Sequence, residues 1–262
     1  MKITDFVKYK QEGRKISMLT CYDYWTASIV EDSSVDCLLV GDSLGMVMHG
    51  HDSTVTVTMD MMALHTQAVV RGAPSKFIVG DMPFLSNRGS LDRSLENVHR
   101  LMSVGAQAVK IEGVKGNETL ITHLVDSGVP VMGHLGLMPQ SVNTLGGYKV
   151  QGKDQQQADE ITAQALQAQE AGCFALVVEC VPTSLGQSLS QVLDIPVIGI
   201  GAGVHTDGQV LVMQDMLGAF SRNANFVRTY CNLKDTLQQA FDGFDEDVKS
   251  EQYPNADESY PS

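Results

Sequence analysis

Short apolar runs and longer amphipathic segments alternate along this chain. The apolar runs occupy residues 16–21, 35–40, 76–79, 106–111, 129–132, 174–178 and 196–200, with a weaker eighth at 210–213. Several are hydrophobic at consecutive positions rather than at every other one. Strands buried on both faces read that way, and they belong to a parallel sheet covered by helices. The clearest helical patterns lie between the runs, at 59–71, 90–104, 117–127, 155–171 and 184–193. Gly105, Gly128 and Gly172 follow three of these, where a helix commonly closes on a left-handed residue. Strand–helix alternation repeated about eight times predicts an α/β fold, the (β/α)8 TIM barrel. An open doubly wound sheet is the competing arrangement.

The length of 262 residues suits one such barrel. We read a single catalytic domain over 1–245 and an acidic C-terminal extension over 246–262. Hydrophobic residues make up 43% of the chain and charged residues 19%, enough to bury a large core. The net charge of −13 excludes the basic face that a nucleic-acid binder needs. Asp242, Asp245, Glu246, Asp247, Glu251, Asp257 and Glu258 concentrate that charge near the C-terminus and read as a solvated, frayed tail. The five cysteines are odd in number and form no CxxC pair. No signal-type segment opens the chain and no apolar run is long enough for a bilayer, so the expectation is a cytoplasmic protein with no membrane partner. The Gly-rich, polar stretch 141–153 is a candidate lid, or a plain surface loop.

Candidate chemistry sits where the apolar runs stop. Asp42, Asp81, Glu112, His134 and Glu179 each fall at the C-terminal end of an expected strand, the end where barrel enzymes gather catalytic groups. One such Asp is ordinarily a helix N-cap. Five ionisable groups at five strand ends are hard to explain as caps. Three convergent carboxylates stay ionised if a cation sits among them, and oxygen-only ligands point to Mg2+. A 2-keto acid could fill two open positions on such an ion. Period-two geometry places Lys110 on the same side of its strand as Glu112. It would neutralise the acids, bind a substrate carboxylate, or do both. Glu179 remains as a general base next to a carbonyl, or as a buried ion-pair partner. His134 would orient a ligand or polarise a substrate oxygen, or be a satisfied core histidine. His49, His51 and His65 show no ligand spacing. Gly199-x-Gly201-x-Gly203 lacks the rest of a dinucleotide fingerprint and reads as a close-packed strand end.

These residues lie in segments that resemble the ketopantoate hydroxymethyltransferase family. They include Val40-Gly41-Asp42-Ser43-Leu44-Gly45-Met46, His49-Gly50-His51-Asp52-Ser53-Thr54 and Val109-Lys110-Ile111-Glu112-Gly113. Further on come Gly133-His134-Leu135-Gly136-Leu137, Pro139-Gln140-Ser141-Val142-Asn143, Gly146-Gly147-Tyr148-Lys149-Val150-Gln151-Gly152 and Glu179-Cys180-Val181-Pro182. The resemblance covers about residues 1–218 in order. It implies a barrel of the phosphoenolpyruvate/pyruvate superfamily. It also implies transfer of a hydroxymethyl group from 5,10-methylenetetrahydrofolate to 3-methyl-2-oxobutanoate, giving 2-dehydropantoate. By resemblance, Asp42, Asp81 and Glu112 carry Mg2+. Ser43, Asp42, Asp81, Lys110 and His134 meet the substrate, Glu179 is the base, and the assembly is a homo-oligomer, a decamer. Residues 85–92 look one residue longer than the family pattern, and 219–228 look shortened. A carbon–carbon lyase or mutase of the same superfamily is the alternative, and a barrel that only binds is a further one.

Overall fold

Eight parallel strands close on one another in chain order, with β8 returning to β1. They are β1 (Ile16–Thr20), β2 (Cys37–Val40), β3 (Phe77–Asp81), β4 (Ala108–Glu112), β5 (Val131–Gly136), β6 (Ala175–Glu179), β7 (Val197–Ile200) and β8 (Gly208–Leu211). This computed structural model describes residues 1–220 and 224–261. The closed ring removes the open-sheet alternative. Expected and observed strands differ mainly at their ends. β5 runs on to Gly136 because its pairing continues past the expected stop, with His134 opposite Glu112 and Gly136 opposite Glu179. The weak eighth run is shifted: β8 ends at Leu211, and Met213 already opens a helical turn.

The helices are α1 (Ile3–Gln11), α2 (Tyr24–Glu31), α3 (Leu44–Val47), α4 (Met59–Gly72), α5 (Leu91–Ser103), α6 (Glu118–Asp126), α7 (Val142–Leu145), α8 (Gln155–Glu170), α9 (Thr183–Val192), α10 (Met213–Met216) and α11 (Leu233–Lys249). The glycines after α5, α6 and α8 adopt φ of +107°, +86° and +96°, the left-handed closure their positions suggested. The candidate lid holds one short helix, α7, which ends on a left-handed Gly146.

Two compact units make up the chain, Met1–Val212 and Met213–Ser262. In the first, every second strand residue points into the barrel. Ile16, Met18, Cys37, Leu39, Phe77, Val79, Ala108, Met132, Ala175, Val177, Ile198 and Val210 form one buried cluster there. Phe6 of α1 joins it, fully buried, with its ring edge-on to Phe174 at 4.9 Å and to Phe77 at 5.2 Å between centroids. Burying one such ring stabilises by about 1.5–3 kcal/mol. In the second unit, α11 crosses the expected boundary at 245/246, so Asp242, Asp245, Glu246 and Asp247 are helical and not a frayed tail. The reason is the spacing of Leu237, Phe241, Phe244 and Val248, which forms one helical stripe, with Asp245 and Lys249 paired at 2.7 Å on the polar side. Of the segment 219–228, residues 221–223 lie outside the described residues.

Candidate active site

The inward-facing file of each strand changes chemistry as it rises. On β3 it reads Phe77, Val79, Asp81; on β4, Ala108, Lys110, Glu112; on β5, Met132, His134; on β6, Ala175, Val177, Glu179. Register then sets neighbours side by side: Asp81 is opposite Lys110, and Glu112 is opposite His134. Asp42 reaches the same place differently. It lies two residues past β2, on the turn that leads into α3, and its backbone N–H donates to Asp81 Oδ2 at 3.2 Å. All five expected strand-end residues and Lys110 are therefore assembled at one end of the barrel.

Their contacts form a continuous polar network. Lys110 Nζ lies 2.9 Å from Asp81 Oδ2, 4.0 Å from Glu112 Oε1 and 3.4 Å from His134 Nδ1. His134 bridges two acids, with Nδ1 at 3.3 Å from Glu112 Oε1 and Nε2 at 3.4 Å from Glu179 Oε2. The Nε2 contact does not align as a hydrogen bond, and that nitrogen is buried without a hydrogen-bond partner. Asp42, Asp81, Lys110, Glu112 and His134 are all buried, whereas the Glu179 side chain keeps 17% of its surface exposed. Glu179 is thus the acid that faces the opening. The next residue, Cys180, takes a positive φ of 48°.

The charges do not balance within the chain. Burial pushes the Asp42 carboxyl well above its ordinary range, and the neighbouring Asp81 and Glu112 charges push it further. Burial also raises Asp81, against the pull of Lys110. Glu112 is held low: burial works against it, but the bond and charge of His134 prevail. Burial and the Lys110 charge lower His134, yet Glu112 and Glu179 outweigh them and hold it at about 9. Lys110 is raised too, the surrounding acids overcoming its burial. Two cations therefore face four carboxyl groups. Asp81 Oδ1 is buried with no hydrogen-bond partner, although such groups are ordinarily satisfied. Carboxyl groups in excess of the cations, and an orphan carboxyl oxygen, fit a hard cation. As the side chains stand, no three His, Cys, Asp or Glu groups among the described residues enclose an ion. Donors within the chain hold the acids instead.

The main such donor escaped the sequence reading. Gln140, in a 3-10 turn after β5, is 8% exposed. Its side-chain Nε2 donates to Asp42 Oδ2 at 2.8 Å and to the Met82 carbonyl at 2.9 Å, and its backbone N–H donates to Glu112 Oε2 at 3.2 Å. Nothing in hydrophobic periodicity marks a glutamine as buried; only its place in a quoted motif pointed to it. Ser43, the N-cap residue of α3, shares a hydrogen bond of 2.8 Å with the Tyr22 hydroxyl. Tyr22 was also missed. The Gly199–Gly203 stretch is close-packed as expected: a Cβ on Gly203 would sit 2.4 Å from Thr183.

A family model described as ketopantoate hydroxymethyltransferase matches residues 1–256. The chain belongs to the ketopantoate hydroxymethyltransferase family. The match continues beyond Gly218, where the sequence resemblance had been placed to end. A 3-methyl-2-oxobutanoate hydroxymethyltransferase of Bdellovibrio bacteriovorus is 53% identical over 98% of each chain. One from Legionella pneumophila (strain Paris) is 52% identical over 99% of this chain and 100% of its own. Among solved structures, 2,3-dimethylmalate lyase, a PEP mutase/isocitrate lyase superfamily member, superposes with a TM-score of 0.61. It shares 13% identity and covers 99% of this chain and 92% of that one. That likeness shows the barrel fold and nothing of the reaction. Membership in the ketopantoate hydroxymethyltransferase family makes this chain an enzyme, a transferase.

Proposed function

We propose that this enzyme transfers a hydroxymethyl group from 5,10-methylenetetrahydrofolate to 3-methyl-2-oxobutanoate, forming 2-dehydropantoate for pantothenate synthesis. The observation that carries this reading is a solvent-facing carboxylate, Glu179, beside a buried cluster of acids, Lys110 and His134. Asp42, Asp81 and Glu112 would hold Mg2+. That ion, when bound, supplies the missing positive charge and polarises a 2-keto group. Lys110 and His134 would supply the positive charge that meets the substrate's anionic end. Ser43, steadied by Tyr22, adds a further hydroxyl. Glu179 takes the proton from C3 of the keto acid, with the His134 charge 3.4 Å from its carboxylate. In the net reaction C3 gains one carbon from the folate, water supplies its hydroxyl oxygen, and tetrahydrofolate leaves.

The compartment we propose is the cytoplasm. All five cysteines are free, and among the described residues no helix is long and apolar enough to cross a membrane. We propose a homo-oligomer, a decamer, as the working form. Trp25, Ile29 and Leu64 on α2 and α4 support this, being 59%, 63% and 68% exposed.

The test is consumption of 3-methyl-2-oxobutanoate with and without 5,10-methylenetetrahydrofolate, and with and without EDTA. We expect 2-dehydropantoate, identified by mass spectrometry, only when folate and divalent ion are both present. Folate-independent cleavage of a keto acid would overturn the proposal in favour of a lyase.

A further inference from the structure

A second group of titratable side chains lies apart from the acidic cluster. His65 projects from α4, and His49 lies on the loop that follows α3. Their Nε2 atoms are 2.9 Å apart, with the rings crossing at 84°. His65 Nδ1 is hydrogen-bonded to the Tyr22 carbonyl oxygen. A carbonyl only accepts, so Nδ1 carries the proton. In the neutral ring Nε2 is then a bare lone pair, and it is aimed at His49. Proteins orient metal-binding imidazoles in this way, with the far nitrogen tied to a backbone carbonyl or carboxylate.

The His49 side is fixed as well. Its backbone N–H donates to the Leu44 carbonyl at 3.2 Å, and His51 N–H donates to Gly45 at 2.8 Å, with Gly50 turning the chain at φ +71°. His51 stacks on His49 at 6.1 Å between centroids. Two nitrogens sharing one tetrahedral zinc at about 2.0–2.1 Å stand about 3.3 Å apart. The observed 2.9 Å is a small ring movement away from that.

We infer that His49 and His65 form a two-imidazole site for a late divalent transition metal such as Zn2+ or Ni2+, with water completing the coordination. Nitrogen ligands of this kind select those ions over Mg2+, so this site and the acidic cluster take different metals. The two share no side chain. They are joined through Tyr22, whose carbonyl backs His65 and whose hydroxyl meets Ser43.

The experiment is calorimetric titration of the untagged full-length chain with Ni2+ in excess Mg2+, beside His49→Gln, His65→Gln and His51→Gln. We expect the wild type to bind one Ni2+ per chain that His49→Gln and His65→Gln each weaken by at least about tenfold. His51→Gln should keep it. Should His49→Gln bind Ni2+ as the wild type does, or should the wild type bind none in excess Mg2+, the inference is overturned. Cu2+ bound to the wild type should also show nitrogen hyperfine coupling that His49→Gln loses. His49 is exposed, so its replacement leaves folding intact.

Discussion

The two ends of the barrel are built from the same strands and the same inward file, yet they obey opposite economies. At the N-terminal end, Phe6, Phe77 and Phe174 meet edge to face over Ile16, Cys37 and Ala108, and burial lowers the free energy. At the C-terminal end, two or four residues further along the same strands, Asp81, Lys110, Glu112 and His134 are just as buried. Burial there works against every charge and leaves Asp81 Oδ1 and His134 Nε2 without a hydrogen bond. One end therefore stabilises the fold, and the other is tolerated by it. Strain of that kind is retained where chemistry uses it.

The sharpest way to separate the ends is a pair of substitutions. Glu179→Gln should slow exchange of the C3 proton of the keto acid by about 10²–10⁴-fold, followed by NMR in deuterated buffer, with little change in denaturant midpoint. Exchange at the wild-type rate would remove Glu179 as the base. Phe6→Ala should do the reverse, costing about 3–5 kcal/mol of stability by denaturant unfolding while leaving kcat of the folded enzyme intact. A comparable loss of kcat would mean that the two ends are not separable.

A smaller effect reads the charge imbalance directly. Mg2+ at about a hundred times its Kd should raise wild-type stability by about 2.7 kcal/mol in a thermal melt. Asp42→Asn should abolish that increment and stabilise the metal-free chain, because it removes a carboxyl already disfavoured by burial. If Mg2+ shifts both proteins alike, the ion binds elsewhere. A further expected effect is a pH limb in the metal-free enzyme. His134 has a folded value of about 9 against an ordinary 6.5, so its contribution is fully present below 6.5 and is lost as pH rises through 9. His134→Gln should flatten that limb in a series of melts; a limb that persists belongs to another group.

How much of this was legible beforehand differs residue by residue. Asp81, Lys110, Glu112 and Glu179 could be found because each terminates or interrupts an apolar run, and strand periodicity fixes which way it points. Gln140 could not, since an uncharged polar residue in a short turn carries no periodic signal, and its burial depends on three other segments meeting above it. The pairing of His49 with His65 was invisible for a similar reason. The two are 16 residues apart with the start of α4 between them, and no ligand spacing survives such a separation. The acidic stretch near the C-terminus was misread because charge was weighed before the apolar stripe beneath it.

The order of strands and helices, the closing glycines and the identities of the reactive groups were set by local pattern, because pleat and helical turn repeat over a few residues and leave their period in the chain. Which atoms touch was decided only by closure of the ring. Register between neighbouring strands put Lys110 against Asp81 and His134 against Glu112, side-chain reach brought His134 to Glu179, and that register is a property of eight segments packed at once.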